Sequence, residues 1–209
     1  TLRFEYRQQE GSRQNQGVGD FNLSDHAFSR TNSQQRLRTS LQGLLAGKVL
    51  NESRVQMTVS DSESISQSSA PTIRVIDAFT SGGAGQANRN TTKTLQLAND
   101  TDFTLGLHVM RAGVLLDVAN FREFDARNSN GTFTFRSLDA FNAGQPDTFT
   151  QRLGLADTSF TYYQLGLYVQ DDIRLNRTLS ISLGARQEMQ SYLDDRLNLM
   201  PRLGFTWNP

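Results

Sequence analysis

The chain has 209 residues, with 21 Lys+Arg against 21 Asp+Glu, no cysteine and 36% hydrophobic residues. Balanced charge gives no drive toward nucleic acid or another polyanion. The lack of Cys removes disulfides, thiolate metal sites and cysteine nucleophiles together. The hydrophobic share lies below the about 45–50% usual for globular domains, and no stretch approaches the roughly 20 apolar residues of a transmembrane helix. The abundant Ser, Thr, Asn and Gln, with 13 Phe and only 4 Pro, suit strands and turns instead. The first residue is Thr and no leader pattern precedes it, so the chain reads as an internal piece of a longer protein.

Thr1 to Arg7 sets Leu2, Phe4 and Tyr6 against Arg3, Glu5 and Arg7, the alternation of a half-buried strand. Residues 8–33 hold no sustained period and read as a long loop with Gly11, Gly17 and Gly19. From Gln34 to Leu45, Leu37, Thr39, Leu41 and Leu45 share a face opposite Arg36, Arg38, Ser40 and Gln42. Ala46-Gly47-Lys48 predicts a tight turn, and Val49 to Asp61 returns with Val55, Met57 and Val59 on one face. Residues 62–90 form a second polar segment around a short apolar patch, Ile73 to Phe79, and the cluster Gly82-Gly83-Ala84-Gly85. Thr91 to Asp100 predicts a weaker strand, followed by a turn near Thr101 to Leu105 that carries Phe103. Leu107 to Phe121 alternates again, with Val114, Leu116 and Val118 opposite Arg111, Gly113 and Asp117. Residues 125–159 read as a third loop, with a small strand at Thr132 to Phe135 and a helical turn near Ser137 to Phe141. The last third, Phe160 to Pro209, is a meander of three strands, with Asp194-Asp195 at its second turn.

In the final hairpin Leu165, Leu167 and Val169 oppose Gln164, Gly166, Tyr168 and Gln170, and Leu179, Ile181 and Leu183 oppose Ser180, Ser182, Gly184, Arg186 and Glu188. Alternation alone fits a sheet over a soluble core equally well. The order of the connections discriminates. The first six links alternate long and short, although the seventh, around Leu193 to Arg196, is short where alternation asks for a long one. This order gathers the long loops at one end, as in transmembrane β-barrels and unlike Greek-key sandwiches. The expected fold is therefore all-β: an antiparallel up-and-down transmembrane β-barrel segment of about eight main strands, incomplete as a barrel. Tyr162, Tyr163, Phe205 and Trp207 fall at strand ends, where interfacial aromatics belong. Leu165, Leu167, Val169, Leu179, Ile181 and Leu183 are then expected to face lipid. Arg111, Asp117, Arg186, Glu188 and Arg202 are expected to face the lumen, because charge against hydrocarbon is costly.

Catalytic and cofactor readings find little footing. The glycine cluster lacks the GxxxxGK[ST] pattern and a following helix, and reads as a flexible loop tip. His26 and His108, the only histidines, have no partners at metal-ligand spacing. Asp171-Asp172 point to opposite faces of a strand and form no carboxylate dyad. No serine sits in a GxSxG elbow. No enzyme activity, cofactor or metal is expected.

The closing stretch carries further motifs. Tyr168, Gln170, Asp171, Asp172, Ile173 and Arg174 precede a turn; Leu179, Leu183, Gly184, Arg186 and Glu188 follow it; Pro201, Arg202, Leu203, Gly204 and Phe205 end the run. This set closely resembles the barrel of TonB-dependent outer-membrane receptors. Leu50-Asn51-Glu52 with Arg54, and Asp77 to Ala84, resemble the large receptors that carry an amino-terminal carboxypeptidase-regulatory-like domain. The resemblance implies that residues 1–209 are part of one barrel domain of about 22 strands around a plug. On this resemblance the plug, the TonB box and the remaining strands belong to other parts of the protein than residues 1–209. It implies the outer membrane of a Gram-negative-type bacterium, with outer-membrane lipid, the TonB system acting through the plug and an unidentified scarce ligand as partners. Ligand would be recognised by the long loops, in which the sequence singles out no residue. The alternative from another class is a soluble β-rich binding or adhesion module; a β-rich hydrolase would require a catalytic cluster in space.

Overall fold

The computed structural model describes residues 1–154, 156–193 and 198–208. Eight long strands dominate it: β1 (Leu2–Gln16), β2 (Phe28–Leu45), β3 (Val49–Ser66), β6 (Ala87–Leu105), β7 (His108–Asp125), β10 (Asp157–Arg174), β11 (Leu179–Gln190) and β12 (Asn198–Trp207). The loops between them hold four short strands, β4 (Thr72–Val75), β5 (Phe79–Ser81), β8 (Thr132–Phe135) and β9 (Thr148–Thr150), a 3-10 turn at Ser24–His26 and a short α-helix, α1 (Leu138–Asn142). No helix among the described residues is long and apolar enough to cross a membrane.

The long strands form one antiparallel sheet in the order β1-β2-β3-β6-β7-β10-β11-β12, so each pairs with its neighbour along the chain of long strands. Apart from one shift in β1 between Arg13 and Gln16, register is continuous; β10 pairs β7 without a break from Asp157↔Phe124 to Ile173↔His108. Three tight turns close one end. Ala46 and Gly47 take positive φ between β2 and β3, as a short hairpin with right-handed strand twist requires. Gly106, at φ 60°, reverses the chain between β6 and β7. Between β10 and β11 the Asn176 side chain accepts the backbone N–H groups of Thr178 and Leu179 at 2.9 and 2.8 Å, an Asx turn. The segments 17–27, 67–86, 126–154 and 191–193 all emerge at the opposite end.

The strands run further than their apolar alternation. β1 continues to Gln16 and β2 begins at Phe28, so most of the expected first loop is ladder. Both faces are polar there, and polarity hides the period of a strand standing clear of any apolar surroundings. The expected turn around Phe103 is not formed. β6 runs through to Leu105, Phe103 pairs with Val49 and Met110, and the turn falls at Gly106. The Asp194-Asp195 turn lies outside the described residues.

The loops fold on one another. β5-β4-β8-β9 form a second sheet, in which β4 and β8, from different loops, pair in parallel. The small strand expected at Thr132 to Phe135 is β8, and the helical turn is α1, capped by the Ser137 hydroxyl accepting the Ala140 N–H at 3.2 Å. Phe141 on α1 meets Phe79 and Phe135 edge-on, each at 5.3 Å between centroids. Val75 and Phe135 are buried on this side. The first loop joins through Thr80 N–H to Phe21 O at 2.7 Å and Leu23 N–H to Thr80 O at 2.8 Å.

The glycine cluster is a packing joint rather than a free loop tip. Gly82 and Gly83 are buried, and the Gly82 N–H donates to Asp25 Oδ2 at 2.8 Å. A Cβ on Gly82 would stand 2.1 Å from the Pro71 carbonyl oxygen, and its φ of +77° favours glycine in any case. Gly82→Ala is accordingly expected to open the small sheet while leaving the large one intact. Hydrogen exchange should accelerate in 68–86 and 131–150 and stay unchanged across β6 and β7; unchanged exchange throughout would show that the joint is not required.

Candidate functional site

The registers sort the side chains of the large sheet into two sets, because directly opposed residues share a face. Leu165, Leu167 and Val169 on β10 oppose Met189, Gln187 and Ala185 on β11 and Leu116, Val114 and Ala112 on β7. Leu179, Ile181 and Leu183 oppose Trp207, Phe205 and Leu203 on β12. Through β6, β3 and β2 the same face continues to Leu2, Phe4 and Tyr6 on β1. Its large apolar residues are uncovered even on strands paired on both sides: Met57 is 51% exposed, Val169 46% and Leu183 44%.

Arg111, Asp117, Arg186, Glu188 and Arg202 all lie on the other face. Arg111 opposes Gln170, Asp117 opposes Gln164, and Arg186 and Glu188 oppose Tyr168 and Gly166; Arg202 opposes Gly184. The buried residues of the large sheet, among them Ser64, Ala98 and Gly166, also belong to this face. Side chains crowd on the inner side of a curled sheet, so the charged face is the concave one.

The concave face is bound together by charge. Arg111 grips Asp102 through Nε at 2.5 Å and Nη2 at 2.9 Å, a bidentate arrangement. Arg54 Nη2 lies 2.7 Å from Asp100 Oδ2, and the Tyr168 hydroxyl donates to the other Asp100 oxygen. Arg186 Nε lies 2.6 Å from Glu188 Oε1, and Asp117 accepts from Gln96 Nε2 at 2.8 Å. Arg202 has no ion-pair partner among the described residues and borders a cleft of about 190 Å³ with Arg111 and Arg186. The Tyr168 ring lies over Gly113, where a Cβ would come within 2.4 Å of it. The tyrosine shields the backbone that a residue without a side chain leaves open.

Two polar groups interrupt the apolar face. Asn51 and Asn99 exchange amide hydrogen bonds at 3.2 Å, and Ser53 and Thr101 close the cluster. His108 Nδ1 lies 2.6 Å from Asp171 Oδ2 near the short-turn end. Asp172, on the concave face, accepts from the Ser182 hydroxyl at 2.5 Å. Alternation separated Asp171 from Asp172 correctly, but the partners are far apart in sequence and no local signal names them. Among the described residues no three His, Asp or Glu side chains gather as metal ligands.

At the long-loop end a carboxylate clamp fixes the third loop. Asp125, at the end of β7, accepts from the Arg127 backbone N–H at 3.1 Å and from its Nε and Nη2 at 2.8 and 2.7 Å. Arg152 Nη1 pairs with the same carboxylate. Hydrogen bonds from Arg127 hold the Asp125 carboxyl well below the usual carboxylate range, although its burial pushes the other way.

The family model described as "Outer membrane beta barrel domain" matches residues 51–208, more than half of the chain. Among solved structures, the outer membrane transporter YddB from Escherichia coli matches with a TM-score of 0.72 at 15% identity. That alignment covers 99% of this chain but 27% of the transporter chain, so this chain spans about a quarter of its length. At that identity the match establishes the fold. No curated protein matches the chain.

The Asp125 clamp sets an expectation for pH. The folded carboxyl titrates below its unfolded value, so its stabilisation is complete above about pH 4 and fades only as pH falls further toward the folded value. The protection factors of amides in 126–154, exchange rates corrected for the intrinsic pH dependence, should therefore be the same at pH 7 and pH 5. Asp125→Asn should lower them at both. Equal protection in the variant would remove the clamp from the account of how this loop is held.

Proposed function

The chain belongs to the family of outer membrane β-barrel domains, and from that premise we propose that it forms part of the wall and outer loops of a TonB-dependent transporter for a scarce ligand. The observation that carries this reading is the two-faced sheet. Its exposed apolar face requires a hydrocarbon neighbour, and its concave face presents ion pairs that fit a wet or plugged interior. On this reading Leu165, Leu167, Val169, Leu179, Ile181 and Leu183 meet lipid, and Arg111, Asp117, Arg186, Glu188 and Arg202 face the lumen. The unpaired Arg202 guanidinium is a ready partner for a carboxylate on a plug. Residues 1–209 are one stretch of the barrel domain, with the plug and further strands supplied from outside them. The short turns face the periplasm and the folded loops face outward. The Tyr168–Arg174 and Pro201–Phe205 motifs and the fold shared with a transporter support this assignment over a passive porin. A soluble binding module would leave the apolar face uncovered among the described residues.

Two measurements test the reading. Ile181→Arg places a charge on the apolar face and should cost about 2–4 kcal/mol of barrel stability near the midplane. Ser182→Arg, one residue on, meets the Asp172 carboxylate and should be much milder. Heat-modifiable gel mobility of the full-length protein from membranes reports both, and equal effects would reverse the face assignment. Uptake of the ligand by whole cells should stop when TonB is deleted or the proton gradient is collapsed. Uptake that persists without either would identify a passive pore.

A further inference from the structure

Three loops line an open cavity of about 450 Å³, within the range of small-molecule sites. Its walls come from Asn22 and His26 in the first loop, Thr72 to Gln86 in the second and Arg127 to Thr132 in the third. Two sets of side chains line it. One set is committed to the walls. Thr72 Oγ1 donates to the Gly83 carbonyl at 2.5 Å, Thr132 Oγ1 donates to Asn128 Oδ1 at 2.8 Å, and the Asn128 N–H donates to the Gly85 carbonyl at 2.9 Å. These bonds fix the shape of the cavity before anything enters it.

The other set is uncommitted. Arg74, exposed in the middle of β4, has no ion pair or hydrogen bond among the described residues. The side chains of Asn22, Thr80 and Gln86 likewise make none. Arg127 uses Nε and Nη2 on Asp125 and keeps Nη1 unengaged. No Asp or Glu lines the cavity. Asp25 is turned to the Gly82 N–H, and Asp125 is shared between Arg127 and Arg152. No Phe, Tyr or Trp lines it; its one ring is the His26 imidazole, whose buried Nδ1 is also without a partner among the described residues.

Guanidinium groups match carboxylate or phosphate oxygens. Primary amides and a hydroxyl match groups that both donate and accept, as sugar hydroxyls do. From this arrangement we infer that the cavity binds a polyhydroxylated anion, an acidic or phosphorylated saccharide, with Arg74 holding the anionic group and Asn22, Thr80 and Gln86 the hydroxyls. Arg127 adds a second donor from a position fixed by its grip on Asp125. The inference rests on the transporter reading above and names the class of ligand taken at the outer loops.

Calorimetric titration of the purified full-length protein in detergent tests it, with glucuronate and glucose 6-phosphate as probes and glucose as the neutral control. Both anions should bind and glucose should not. Arg74→Gln should weaken the anions about tenfold, the loss of one charge-assisted contact, and Arg74→Lys should restore most of the affinity. Because Arg74 has no partner in the fold, unchanged heat-modifiable mobility of both variants is expected. Failure of either anion to bind, equal binding of glucose, or Arg74→Gln indistinguishable from the parent would overturn the assignment. Calorimetry needs neither TonB nor a proton gradient. Loss of this result with TonB-dependent uptake intact rejects the ligand class alone; anion binding with TonB-independent uptake rejects the transport mechanism alone.

Discussion

Seven antiparallel pairings in register hold this structure together, and everything else depends on their parity. A strand presents successive residues to opposite faces, so a slip of one residue in any pairing would send the apolar set of that strand to the charged side. Here the parity is kept across all seven pairings of the apolar part of the sheet, and it changes only at the loop end of the first, where the register of β1 shifts between Arg13 and Gln16. The result is a sheet with no apolar core in the ordinary sense. The Arg111–Asp102 and Arg54–Asp100 pairs supply specificity on the concave face, because a slipped register would place these charges against the apolar set.

The wall was legible in the sequence because its period is enforced by two unlike surroundings. Leu165, Ile181 and Arg186 could each be placed on a face from spacing alone, and loop order then pointed to a barrel. Legibility failed where one of those surroundings ended. Gln8 to Arg13 pairs with β2 as regularly as the apolar part of β1, and the register shifts only between Arg13 and Gln16, yet both faces of this stretch are polar and nothing in it alternates. Phe103 was misplaced for a related reason: the neighbouring Thr101 and Asp102 resemble turn residues, but Asp102 is held in the ladder by Arg111 across the strand. The loop cavity was not legible at all. Asn22, Arg74 and Arg127 come from three loops, and only the parallel pairing of β4 with β8 and the joint at Gly82 bring them together.

That joint also explains why the loops behave as structure. A long polar segment ordinarily stays mobile because it cannot bury enough apolar surface to offset its chain entropy. These loops pool their few aromatic residues instead. Phe79 from the second and Phe135 and Phe141 from the third make one small apolar layer that none could build alone. Ordering is thus largely complete before a ligand arrives, which reduces the part of the binding free energy lost to immobilising the site.

The length of the strands carries a geometric implication. β6 has 19 residues and spans roughly 60 Å, whereas about 9–11 residues suffice to cross a bilayer. The surplus lies toward the loops, so the proposed binding platform stands on a rigid collar above the lipid headgroups. The inside of that collar carries amides and hydroxyls, Asn32, Gln34, Ser60, Ser62, Asn90 and Thr92, interspersed with Arg13, Arg30 and Glu123 on the same face. A solute leaving the platform would therefore meet charge of both signs already at the collar, well before it reached the Arg111–Asp102 pair.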